Sequence, residues 1–249
     1  MAIYLKKFKN HTQYENYING SGVKLPNVSI CKTEDDVHYN PDPYAGHDYV
    51  EIGGIKWATM NVGANSIADT GLYFSWGDTQ GYTASQVGSG EGQKKFGWAD
   101  YKYCSGAGTS SSAMTKYNST DGKTVLEAAD DAVTAAWGGQ WRMPTTAEYD
   151  ALRIAVNTAW TADYQGSGVS GLVLTDKTDS SKVLFFPACG ACNDVVYSVG
   201  RYGPYWSSIS SNDVIYAYNF SFNNSGSVEW DTANTERWYG LPVRGVVNE

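Results

Sequence analysis

The sequence predicts an α+β fold made of many short strands and two helices. Three observations carry this expectation. Glycine is abundant and scattered, with 27 residues in 249, which suits short strands joined by turns. Two windows between Thr124 and Val156 place apolar residues at helical spacing. Beyond Trp160, short apolar and aromatic runs stand between turn-forming residues. At this length the chain can bury a full core, as one large domain or one domain with a small appendage.

Residues 1–46 read as a separate segment. His11 to Asn19 has Tyr14, Tyr17 and Ile18 at helical spacing, ended by Gly20. Val23 to Ile30 can be a strand, which Pro26 would confine to a sheet edge. Asn40-Pro-Asp-Pro-Tyr-Ala-Gly46 is a linker or turn, because two close prolines block both helix and ladder. Residues 47–249 form the main domain. Tyr49 to Trp57 reads as two short strands around a Gly53-Gly54 turn. Gly71-Leu-Tyr-Phe-Ser-Trp-Gly77 is a further strand. Residues 79–122, rich in Gly, Ser and Thr, are expected to form long loops anchored by Phe96, Trp98, Tyr101 and Tyr103.

The first helix is expected from about Thr124 to Ala136, with Leu126, Ala129 and Val133 on one face and Gly138-Gly139 as its stop. Its adjacent Asp130 and Asp131 point apart and read as solvated surface. The second helix opens at Thr145, where Thr-x-x-Glu148 makes a capping box, and Tyr149, Leu152 and Val156 mark its buried side. The strand candidates after it are Val173-Leu174, Val183 to Pro187, Tyr205 to Ser208, Ile215 to Phe222, Ser227 to Trp230 and Gly240 to Val247. In Tyr216 to Phe222 the period is two. Tyr216, Tyr218, Phe220 and Phe222 are expected to face the core, and Ala217, Asn219 and Ser221 the other way.

A formal charge of -8 opposes nonspecific nucleic-acid binding, and the one basic cluster, Lys6-Lys-Phe-Lys9, is too short for such a face. No stretch of 18 apolar residues predicts a membrane span, and MAIYLKKFKN lacks the apolar core of a signal peptide. If the protein acts at a virion or cell exterior, it is expected to arrive there without a cleaved signal, for instance in a particle released by lysis, after a cytoplasmic stage. Cys189-Gly-Ala-Cys192 is a lone CxxC, and a structural zinc site needs two more ligands. Packing is the expected role of these cysteines. No cofactor and no metal are expected.

The last sixty residues carry Tyr197, Tyr202, Tyr205, Trp206, Tyr216, Tyr218, Trp230, Trp238 and Tyr239, with Asn, Ser, Asp and Gly between them. Tyr and Trp offer large contact area with few rotatable bonds, and the small polar residues offer adaptable hydrogen bonding. The region therefore reads as a binding surface. Candidate contact residues are Asn193, Asp194, Val196, Arg201 and Tyr202. Four more follow at Ile209, Ser211, Asn212 and Asp213. Asn219, Ser221 and Asn223 lie along a strand. Glu229, Trp230, Asp231, Glu236, Arg237 and Trp238 complete the set. Trp230 and Trp238 stand in polar surroundings, where large apolar groups mark binding centres. Trp206 and Arg244 read as framework.

Five elements occur in order: Gly71-Leu-Tyr-Phe-Ser-Trp-Gly77, Trp141-Arg-Met-Pro-Thr-Thr-Ala-Glu148, Phe185-Phe-Pro-Ala188, Gly203-Pro-Tyr-Trp-Ser-Ser208 and Tyr239-Gly-Leu-Pro-Val-Arg244. Over residues 48 to 247 they resemble the Fibrobacter succinogenes major paralogous domain, a branch of the C-type lectin-like fold related to sulfatase-modifying factors. The resemblance implies a mixed, mostly antiparallel set of short sheets with two flanking helices. Some members are variable proteins of diversity-generating retroelements, in gut Bacteroidales or their phages. In those, substitutions are scattered over C-terminal surface positions, here about 189–239. The implied partner is a protein or glycan receptor on a target cell surface. Residues 1–46, whose Tyr4 to Phe8 and Leu25 to Pro41 look like N-termini of phage structural proteins, would serve virion docking or homo-oligomerisation.

Two alternatives come from other classes. One is a structural adhesin or carbohydrate-binding module without diversification, in which Trp230 could stack on a sugar. Calcium would need six to eight oxygen ligands, of which Glu229, Asp231 and Asn234 offer a few. The other is a formylglycine-generating-type enzyme. No cysteine follows Cys192 and every histidine precedes residue 48, so the reading is of a protein that is not an enzyme.

Overall fold

The computed structural model describes residues 44, 46–106, 113–230 and 233–247. The chain divides between Gly46 and His47 into two units, and the second is described below. The helix expected over His11 to Asn19 and the strand over Val23 to Ile30 lie outside the described residues.

The domain is α+β, with short, mostly antiparallel sheets and two helices. β1 (Tyr49–Ile52) and β2 (Ile55–Asn61) form the expected hairpin. Gly53 and Gly54 both take positive φ (62° and 77°), which a two-residue turn matching strand twist requires. α1 is Ala132–Trp137 and α2 is Thr146–Ala155. β3 (Val156–Thr161), β4 (Gly171–Asp176) and β5 (Val183–Pro187) make an antiparallel sheet in that order. β6 (Ala191–Cys192) and β7 (Val196–Tyr197) are a short hairpin. β8 (Tyr202–Ser210) pairs with β9 (Tyr216–Asn223), and β10 (Val228–Glu229) and β11 (Asn234–Glu236) line the far side of β9. β12 (Arg244–Val247) returns to β2.

The capping box of α2 forms as expected: Thr145 Oγ1 accepts from the Glu148 amide at 3.2 Å, and the Glu148 carboxylate accepts from the Thr145 amide at 2.7 Å. α1 is shorter than expected. Val125 bridges to Ile209 and the Leu126 amide donates to Ser208, so tertiary pairing takes the residues that periodicity assigned to helix. Asp131 caps the shortened helix, accepting from the Val133 and Thr134 amides at 2.9 Å. Asp130 and Asp131 are therefore buried, not solvated as their helical spacing implied. Asp130 accepts from Tyr103, Tyr117, Lys116 and Lys102. Val156 is buried as expected, but it opens β3 and does not extend α2. Gly71 to Gly77 forms isolated bridges (Tyr73 with Tyr82, Phe74 with Leu241) and no continuous strand.

β9 is covered on both sides, and this explains the long loop segment. Tyr205, Phe220, Phe222 and Trp230 join Phe186 and Tyr149 in one core, where the Tyr149 and Phe220 rings stack at 5.0 Å. On the other side Trp206, Ala217, Asn219 and Ser221 are also buried. Trp206 Nε1 donates to Phe74 O at 2.8 Å, and Trp76 Nε1 donates to Ser207 O at 2.9 Å. Phe96, Trp98, Tyr101 and Tyr103 are buried, as the anchoring reading expected.

Cys189 and Cys192 are buried free thiols. Burial pushes both up, Cys192 to about 12, where the neighbouring Cys189 adds to the effect. Native protein at neutral pH should therefore show slow alkylation at both, with the half-buried Cys104 reacting before either. Mass spectrometry after brief iodoacetamide exposure checks this; equal labelling of Cys189 would refute it.

Candidate functional site

The register of the β8–β9 sheet sorts the candidate residues. Directly opposed residues point to the same side of a sheet. Trp206 opposes Asn219, Glu229 opposes Ser221, and Thr235 opposes Ala217. Tyr202 shares that side by alternation and meets Ser221 through its hydroxyl. Asn219 Nδ2 donates to Thr235 Oγ1 at 3.0 Å, while its Oδ1 is buried without a partner.

A polar-aromatic cluster stands beside this face. The Trp238 and Tyr239 rings stack at 3.8 Å, and Trp98 meets Trp238 edge-on at 6.5 Å. Tyr197 and Tyr239 bring their side chains together. Burial, then Tyr239, Tyr202 and Cys192, push the Tyr197 hydroxyl up to about 12. Tyr197 is nevertheless 36% exposed, so its ring reaches solvent. Its neighbours Val195 and Val199 are 52% and 59% exposed. Three large apolar side chains thus crowd five positions of a hairpin and the loop after it.

The hairpin is held from three sides. Cys192 exchanges backbone hydrogen bonds with Gly240 at 2.9 and 3.0 Å. The Phe96 amide donates to Asn193 O at 3.0 Å, and the Gly190 amide to Tyr202 O at 2.7 Å. Gly190 takes φ of 69°, and a Cβ there would lie 2.0 Å from Tyr197 O, so only glycine allows this approach. A hollow of about 460 Å³ opens beside Val199 and Gly200, between Asp69-Thr70 and Ser170.

Of the expected contact residues, one group surrounds this cluster. Asp194 and Arg201 are exposed, and Asn193, Val196, Tyr202, Asn223 and Trp238 are half-buried. Glu229 is exposed on the same side of the sheet. A second group lies at the β8–β9 turn, at the end of β9 opposite Asn223 and roughly 23 Å from that residue at 3.3 Å per residue. It holds exposed Asn212 and Asp213 with half-buried Ile209 and Ser211, whereas half-buried Glu236 accepts from the Tyr239 amide at 3.0 Å and borders the cluster. The fold does not bring these two groups onto one small patch. Asp231 lies outside the described residues.

Four expected contact residues are interior. Trp230 packs on Phe220 at 4.8 Å because β10 sets it on the core side of the sheet. Asn219 and Ser221 are covered by the loop layer, so the small polar face of β9 is not the open surface that alternation implied. Arg237 is fully buried. Its guanidinium donates to Tyr117 O (3.0 Å) and Tyr216 O (3.2 Å) and lies over the Trp76 ring at 4.6 Å. It is framework, like Arg244, which donates to Asn61 Oδ1, Ala58 O and Phe185 O.

Sequence reasoning did not single out Val195 and Val199 and took Trp98 only as an anchor. Valine or tyrosine at every second position between Asp194 and Arg201 was the available signal. Among the described residues, no group of three or more His, Cys, Asp or Glu is placed to hold a metal ion, and no helix is long and apolar enough to cross a membrane. Comparison with models of known families, with curated proteins and with solved structures found no match.

Proposed function

We propose that this chain is a recognition protein: a C-type lectin-like scaffold that binds a protein or glycan receptor on a target cell surface. The contact face is the β6–β7 hairpin with the loop to β8, beside Trp238 and Tyr239. The observation that carries the reading is the crowding of exposed Val195, Tyr197 and Val199 on a hairpin whose backbone is tied down. An apolar centre within a polar rim of Asp194, Ser198 and Arg201 is the anatomy of protein interfaces. Rigid backbone beneath exposed side chains lowers the ordering cost of binding. In this reading exchange of rim side chains changes the partner and leaves the core intact, as in a phage or bacterial-surface variable protein. Residues 1–46 then tie the domain to a larger assembly.

Binding of fluorescent full-length protein to a panel of gut bacterial cells and to a glycan array tests this. Tyr197→Ala with Val199→Asp should weaken binding at least about ten-fold, the effect of losing one buried anchor. Ala at Asn212 and Asp213, at the far end of β9, should leave it unchanged. Undiminished binding by the double variant, with its melting temperature preserved, would remove the hairpin from the reading. Diversification is read in DNA: a nearby template repeat differing from the coding sequence only at adenines.

A further inference from the structure

We propose that β3 is a docking edge at which a second copy of this chain adds its own β3, antiparallel, across a two-fold axis. The proposal is independent of the hairpin face. An edge strand exposes a row of unpaired amides and carbonyls, and proteins normally blunt such edges with charge, proline, bulges or covering segments. β3 has none of these. Its sequence, Val-Asn-Thr-Ala-Trp-Thr, holds no charge and no proline. It pairs with β4 over all six residues without a register shift. Asn157, Thr158 and Ala159 are exposed, and, among the described residues, 157–160 make no backbone hydrogen bond outside the β4 ladder.

The other edges differ. β7 and β10 have two residues each, and β11 has three with Glu236 among them. β1 is four residues long and carries Glu51. At β5 the Phe185 carbonyl accepts from Arg244, and the outer side of β8 is met by Pro144 and Pro242 carbonyls. Among the described residues, β3 is the one edge strand longer than four residues that is left open.

The neutral edge also argues for a second copy as occupant. Two chains of formal charge -8 repel, and a contact strip free of charge minimises that repulsion where they touch. The strip is self-complementary. A two-fold axis through Thr158 sets Asn157 against Ala159 and Val156 against Trp160, which keeps each side of the sheet on its own side. The result is a continuous six-stranded sheet. Ile154, 61% exposed at the end of α2, adds apolar area next to the strand.

Sedimentation velocity of the full chain over a dilution series, with hydrogen exchange at high and low concentration, tests the proposal. The expected result is a reversible dimer, with amides in residues 157–160 exchanging more slowly at high concentration. Asn157→Lys with Ala159→Lys should raise the dimer dissociation constant about ten-fold or more, since like charges would face each other. Mixing that variant with Asn157→Glu, Ala159→Glu should restore pairing. A chain that stays monomeric, or an oligomer whose β3 exchange ignores concentration and whose mass survives the Lys substitutions, overturns it. The exchange measurement on unaltered protein keeps the test valid should a variant fold poorly.

Discussion

Arg237→Ala should destabilise the domain by about 3–5 kcal/mol, because it leaves the Tyr117 carbonyl buried and unpaired at about 1–3 kcal/mol, takes from the Tyr216 carbonyl one of its two donors (the Ser211 amide is the other) and empties a fully buried site. Among the described residues no carboxylate pairs with this guanidinium; carbonyls and the Trp76 ring hold it. Its planar fork gives two donors to the Tyr117 carbonyl and a third to the Tyr216 carbonyl, a geometry a single ammonium cannot reproduce. Arg237→Lys should therefore recover less than half of the loss. Urea unfolding of both variants checks this. A contact residue would give the opposite pattern: unchanged stability and weakened receptor binding. A loss below about 1 kcal/mol would return Arg237 to the recognition surface.

That residue marks where the sequence could be read and where it could not. Local signals were legible. The Thr145–Glu148 capping box, the Gly53-Gly54 turn and the aromatic anchors of the long loops each depend on neighbours in the chain or on large apolar area. Non-local burial was not. Alternation in β9 shows which residues share a side, but it cannot show that a loop segment some hundred residues earlier covers the polar side. Asn219 and Ser221 read as surface for that reason, while Trp230 and Arg237 read as surface because their neighbours in the chain are polar. Val125 and Leu126 fit a helix locally but are taken by β8. β3 follows α2 without a loop, so no turn residue announced it. The proposed recognition face was legible only as a region. Tyr, Asn and Asp density pointed to the region, while the two exposed valines at the centre of the proposed face are inconspicuous by type.

Asp130→Asn should cost about 2–4 kcal/mol at neutral pH, since an amide would turn donors toward donors in a nearly buried site. Burial alone would raise the Asp130 carboxyl. Lys116, Tyr103, Tyr117 and Lys102 more than reverse this and hold it well below the usual carboxylate range. A depressed folded value fixes the sign. The stabilisation is fully present above the unfolded value of about 3.9 and is lost as pH falls through the folded value. Thermal melts from neutral pH downward should show the wild type losing stability below about pH 4, with a flatter profile for Asp130→Asn. Parallel profiles would remove Asp130 from the acid response. The two substitutions should also couple. Tyr117 gives its hydroxyl to Asp130 (2.6 Å) and its carbonyl to Arg237, and its own backbone is left-handed at φ 56°, a strained state that persists only where neighbours over-determine it. Releasing Tyr117 from either side removes part of what the other side holds. The double variant should then lose less than the sum of the single losses, and strict additivity would show that the two anchors act on separate parts of the loop layer.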